Sequence, residues 1–240
     1  MHFHVDSILA QLRLVEAQRR HRGASASLAS RVEALKGFQQ RRFMLTYADL
    51  LQSARYAPAA RFFLEELYGP RDFSQRDAQF ARVVPALVRL FPQAIVDVVG
   101  TLARLHAVSE ALDTHMAMQL SAVQLDAASY VTAWQSTGQA EQRELQVALT
   151  LEIGASLDRL VQQPLLRHSL RLMRGPARAA GLADLQSFLE AGFETFRAMQ
   201  GAAQFLAWVA EREQALVAAL FSARLDEAAS RHAVLGLLPS

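Results

Sequence analysis

Apolar residues in this chain recur at every third or fourth position, and no run alternates apolar with polar at period two. A chain so patterned buries helix faces and has no half-buried strands to build a sheet. Leu182 to Met199 is the clearest case, with Leu182, Leu185, Phe188, Leu189, Phe196 and Met199 on one face. Gly192 falls in that seam, where a missing side chain lets a neighbouring helix backbone come close. The longest periodic stretch is 93–120, whose stripe is Val98, Leu102, Leu105, Val108, Leu112 and Met116. At 1.5 Å per residue it spans roughly 40 Å, the length of a central scaffold helix.

Breakers and caps divide the remainder. A first amphipathic helix is predicted over 7–22, carrying Ile8, Leu9, Leu12 and Val15 and ending in the basic run Arg19-Arg20-His21-Arg22. That run reads as a solvated helix end or a contact for a phosphate or acidic partner. Helices follow over 28–44 and around Leu50 and Leu51. Pro58 opens the next helix and Gly69-Pro70 ends it. Ser74 with Asp77 resembles a capping box at the start of another, which Pro85 should kink and Pro92 end. Helices over 125–135 and 140–161 are separated near Ser136-Thr137-Gly138. Pro164 opens one that Gly175-Pro176 interrupts, and the last runs over 202–223 with Phe205, Leu206, Val209 and Leu216. The expected fold is a single-domain, all-α, multi-helix bundle of roughly eight or nine helices. Its parts are an N-terminal helix with its basic end at 1–24, a main helical domain at 25–229, and a frayed tail at 230–240.

The chain has 240 residues, 52% hydrophobic and 20% charged, enough to bury a substantial core. It has no cysteine, which excludes disulfides and thiolate metal sites and fits a reducing compartment. Met1 to Asp6 lacks the basic region and apolar core of a signal peptide, and no stretch is apolar enough to span a bilayer. A cytoplasmic protein with no membrane span is expected. The pI near 9.4 accompanies a formal net charge of only +2 and a single lysine, Lys36, which argues against a nucleic-acid footprint.

Aromatic and charged residues are densest between Arg55 and Asp77, across the predicted Gly69-Pro70 corner. On a helical wheel Ala60, Phe63, Leu64 and Leu67 share one face, Glu65 points away, and Phe62 and Glu66 form a separate side. Arg76 and Asp77 begin the apolar stripe of the following helix, so they should be paired. Their natural partners are Glu65, Glu66, Arg71 and Asp72.

The segment Phe62-Phe63-Leu64-Glu65-Glu66-Leu67-Tyr68 resembles the signature of the FFLEELY-motif proteins, a bacterial family. The resemblance extends from Phe43–Asp49 through Pro70–Ser74, and returns at Met173–Ala177 and Gly181–Met199. It implies a shared fold; it implies no reaction and no functional residues.

Away from the corner, His106, Glu110 and Asp113 lie along one edge of the 93–120 helix. This is the arrangement most like a metal or acid/base site, but it reads first as a polar i,i+3 and i,i+4 ladder at a core boundary, and no metal is expected there. His115 points to the other side. The chain contains no Gly-x-Gly-x-x-Gly, Walker loop, Gly-x-Ser-x-Gly elbow, His-Glu-x-x-His or Glu-x-x-His. Two functions of different kind follow. One is a binding or regulatory module using Phe62, Glu65, Glu66, Tyr68, Arg71, Asp72, Arg76 and Asp77 around the corner, for a protein or small-molecule partner and an unknown cofactor. The other is a helical enzyme or metal protein joining Glu65 or Glu66 to His106 and Glu110.

Overall fold

The chain winds its helices around one long central helix. The computed structural model describes residues 2–66 and 73–239. Among them are thirteen helical segments and no strand. In chain order they are α1 (Val5–Gly23), α2 (Ala26–Thr46), α3 (Ala48–Gln52), α4 (Ala57–Glu66), α5 (Ser74–Leu90), α6 (Gln93–Gln119), α7 (Ala127–Thr137), α8 (Ala140–Leu160), α9 (Pro164–Leu172), α10 (Arg174–Ala179), α11 (Ala183–Ala198), α12 (Ala203–Ser222) and α13 (Ala228–Leu235). The all-α expectation holds, but eight or nine helices is too few. Short α3 and α10 are separate turns beside longer helices, and α13 occupies the stretch expected to fray. Val234 and Leu238 there are buried against α2, α7 and α12.

Helix α6 is central because neighbours cover almost its whole circumference: α1, α2, α7 and α8 all pack on it. Small residues let them come close. Gly100 of α6 receives the ring of Phe3, and a β-carbon there would collide with it. The Phe3 amide also donates to Asp97 Oδ1 at 3.0 Å, fixing the N-terminal segment on α6. Gly154 of α8 similarly accommodates Leu206 of α12.

Local chemistry sets several boundaries. The Ser25 and Asp126 side chains cap α2 and α7 by accepting from the amides of Leu28 and Ser129. Pro164 stands at the first position of α9, as expected. After α11 the chain turns through Gly201 at φ 106°, a conformation open to glycine. Arg55 there donates to the carbonyls of Met199, Gln200 and Gly201. The predicted capping box at Ser74 is absent: Phe73 is the N-cap of α5 and makes no side-chain cap bond. Asp77 is drawn instead to partners on α1 and α6. Helix α5 continues through Pro85 to Leu90.

Three apolar clusters fill the interior. One joins α2, α6, α7, α12 and α13 around Phe38, Met116 and Tyr130. A second joins α3, α4, α11 and α12 around Tyr56, Phe196 and Phe205. The third lies where α1 and α5 meet the first half of α6. Among the described residues, no helix is long and apolar enough to cross a membrane.

Candidate functional site

Between these clusters runs a cavity of about 180 Å³. One face of α6 forms its floor, and the character of that face changes along the helix. Val99, Leu102, Ala103 and Leu105 line the first part; His106, Ser109, Glu110 and Asp113 line the second. Phe80, Phe188 and Leu189 enclose the apolar end. Lys36, Arg42, Arg143 and Glu213 converge on the polar end from α2, α8 and α12.

The charged side chains reach the interior because they occupy core positions in their own helices. On α1, Arg19 and Arg22 continue the stripe of Ile8, Leu12 and Val15. Gln39 and Arg42 of α2 continue Leu28, Val32 and Leu35, and on α12 Glu213 lies in register with Leu216 and Leu220. Each spacing is three or four residues, so the charge points where a leucine would. Arg42 is 5% exposed, Arg143 3% and Glu110 5%.

These groups form connected ion pairs. Glu110 receives Lys36 Nζ on Oε1 and Arg22 Nη1 on Oε2, each at 2.5 Å. Burial alone would push its carboxyl up, but the charges of Lys36 and Arg22 outweigh burial and hold it at about 2. One turn on, Asp113 accepts from Gln39 at 3.0 Å and lies 4.0 Å from Lys36. Burial raises its carboxyl above the usual range, and the neighbouring Glu110 charge adds to the rise against the pull of Lys36. Arg42 and Tyr47 both meet Glu213 Oε1, at 2.5 and 2.7 Å. Arg143 stacks over Trp134 at 4.0 Å and donates to Gln146.

Described residues on either side of the corner adjoin this cavity. Phe63, Phe73, Arg76 and Asp77 all contribute to its wall. Arg76 pairs with Glu66 at 3.2 Å and lies between the rings of Phe73 and Phe188, at 4.0 and 4.3 Å. Asp77 binds Arg19 of α1 and His106 of α6, the latter at 2.8 Å. Burial opposes ionisation of Asp77, yet the hydrogen bonds and charges of His106 and Arg19 bring its carboxyl below the ordinary value.

Several expectations therefore change. Phe62 is no outward contact: it is 9% exposed, and its ring packs on Gly192, Phe63 and Phe188. Gly192 admits that ring and not a helix backbone. Glu65 is exposed, as its outward direction implied. Tyr68, Arg71 and Asp72 lie outside the described residues. Asp77 finds partners on α1 and α6, beyond the corner carboxylates and Arg71. His106 pairs with Asp77 of α5, whereas Glu110 and Asp113 both answer α2, through Lys36 and Gln39, and Glu110 also answers Arg22 of α1; Glu110 and Asp113 are core groups, not an edge ladder. No group of three or more His, Asp or Glu able to hold a metal occurs among the described residues. Arg19 and Arg22, read as part of a solvated basic end, are turned inward.

Fold and cavity together define an all-α protein built around a buried, charge-lined chamber. The chain belongs to a family described as a domain of unknown function, DUF8198, whose model matches residues 18–227. That span holds every cavity-lining residue except Leu12. No curated protein and no solved structure matches the chain.

Proposed function

We propose that the protein is a binding or regulatory module that takes a small molecule into the chamber beneath the FFLEELY-like corner, in a cytoplasmic setting. The observation that carries this reading is the placement of charged residues at core positions of α2, α6, α8 and α12 that line one cavity, with Arg19 and Arg22 of α1 pairing to its Asp77 and Glu110. Burying charge is unfavourable for a fold that needs only stability, since apolar residues of similar volume serve it as well or better. Departures from apolar patterning mark functional sites. An apolar chamber with a few convergent polar groups is the usual form of a small-molecule site. The described residues that flank the corner, Phe63, Phe73, Arg76 and Asp77, contribute to the wall and form the roof of the site.

The enzyme alternative has less support. Glu66 is engaged by Arg76, His106 by Asp77, and Glu110 by Lys36 and Arg22, so the proposed catalytic groups are divided among separate ion pairs.

Native mass spectrometry of the protein after incubation with a cell extract tests the module. The expected result is a specific small-molecule adduct on wild type that disappears in Leu102→Trp, whose indole fills the apolar end. Adducts equally abundant in the filled variant, or none at all, would show that the chamber is not a binding site.

A further inference from the structure

We infer that α9 and α10 form a docking face for an anionic lipid surface, with Leu165 and Leu172 entering the headgroup boundary and the flanking arginines meeting lipid phosphates. This goes beyond the binding reading above and does not depend on it.

Apolar exposure is the first observation. No residue of α9 is buried. Leu166 and Leu170 are partly buried against the cluster around Phe196, so they mark its inward side. Leu165 and Leu172 lie on the outward side, 82% and 78% exposed, with exposed His168 between them at spacings of three and four. Met173, also exposed, follows at the junction with α10. A helix that rests on the core by one side gains no stability from leucine on the other.

Charge is the second observation. Residues 160–183 contain Arg167, Arg171, Arg174, Arg178 and His168, and no Asp or Glu. The arginines follow one another at spacings of four, three and four, which keep them to one side beside the leucines. Carboxylates of α11 steady the first three. Arg167, Arg171 and Arg197 share Glu194, at 2.9, 3.5 and 3.3 Å, and Arg174 pairs with Glu190. The Arg171 and Arg174 side chains stay half exposed in these pairs, and Arg178 is exposed. A guanidinium has five N–H donors, so a pair with one carboxylate leaves others for a phosphate.

Leucine on one face and arginine beside it is the composition of a helix that lies at a membrane interface. Anionic headgroups attract the arginines, and the leucines add apolar burial. The charge complementarity is therefore to lipid phosphate. Three apolar side chains fall short of the roughly 800 Å² that a standard protein interface buries on each partner, which favours lipid over protein.

Co-sedimentation of the whole chain with two kinds of vesicle tests this: phosphatidylcholine alone, and equal parts phosphatidylcholine and phosphatidylglycerol. The anionic vesicles should carry down several-fold more protein, and added salt should reduce that amount. Leu165→Ser combined with Leu172→Ser should lose most of the binding and keep the wild-type melting temperature, since both positions are exposed. Arg178→Glu, at a separate exposed position, should weaken binding independently of that pair. Equal binding to both vesicles, or to neither, would overturn the proposal. So would anionic binding that survives the serine pair and Arg178→Glu, because the contact would then lie elsewhere. A concentration-dependent dimer that the serine pair abolishes would make this face a self-contact and overturn lipid docking.

Discussion

The ring of Phe62 closes directly on Gly192, with its Cζ 3.1 Å from where a β-carbon on Gly192 would stand. The ring has little room to retreat, since it stacks on Phe188 at 5.6 Å and meets Phe63 edge-on at 6.2 Å. Gly192→Ala should therefore be close to neutral: the helix gains up to about 1 kcal/mol from alanine, and the displaced ring returns it. Gly192→Leu has no such balance and should lose about 1–3 kcal/mol by overpacking. Chemical denaturation of the two variants checks the pair; a harmless leucine would mean that α4 and α11 are not held at this spacing.

Arg76 is held by aromatic rings as much as by charge. Arg76→Ala removes two ring contacts and the pair with Glu66, and should cost about 1–3 kcal/mol. The cost stays under the range for a fully buried pair because the Glu66 side chain is 31% exposed. Arg76→Lys keeps the charge without the stacking plane, so its melting temperature should fall between wild type and Arg76→Ala. Glu65→Ala, at an exposed position, should do less than either. Equal melting temperatures for Arg76→Ala and wild type would show that the corner is not held this way.

Glu110 should dominate the acid limb of stability. Its folded pKa is about 2, below the ordinary value of 4.5, so the stability it contributes is present above pH 4.5 and is lost as pH falls towards 2. The shift corresponds to on the order of 3 kcal/mol. Glu110→Gln strands Arg22 and Lys36 and should be clearly less stable than wild type near neutral pH, by about 3–5 kcal/mol. The gap should narrow as the pH is lowered through that window. A gap that stays constant from pH 7 to pH 3 would mean that the stabilising charge of Glu110 is not what is lost.

The extents of α6 and α11 could be read from apolar periodicity because each is long and its stripe is unbroken. Burial of Glu110 and Asp113 could not, since a helical wheel orders residues around one axis and does not say how many neighbours surround it. Helices α1, α2, α5, α7 and α8 all pack on α6, so its polar edge lies inside the protein. Arg19, Arg22, Arg42 and Glu213 did leave a signal, each falling at the spacing of three or four that continues its helix's apolar stripe. Charge density groups Arg19-Arg20-His21-Arg22 as a block, whereas register separates Arg19 and Arg22 from exposed Arg20 and His21. Burial of Phe62 is hidden from the wheel for a related reason: its separate side of α4 meets α11, which only the tertiary structure brings there.

His106 and Asp77 allow a final test, because they belong to one three-helix clamp but bear unequal shares of it. Asp77 takes both Arg19 of α1 and His106 of α6, so one carboxylate joins α5 to both neighbours. Asp77→Asn leaves the Arg19 guanidinium, 18% exposed, without its counter-charge and should cost about 3–5 kcal/mol. His106→Ala leaves the Arg19–Asp77 pair in place and should cost about 1 kcal/mol, the value of one hydrogen bond. Since Asp77 is held below its ordinary pKa, its contribution is present above that value and disappears as the pH falls through the folded one. The destabilisation by Asp77→Asn should accordingly shrink in acid. Denaturation curves of both variants at neutral and acidic pH, with metal analysis of each preparation, decide the point. Stoichiometric zinc or iron in wild type that vanishes in His106→Ala would make His106 a metal ligand and end the clamp interpretation.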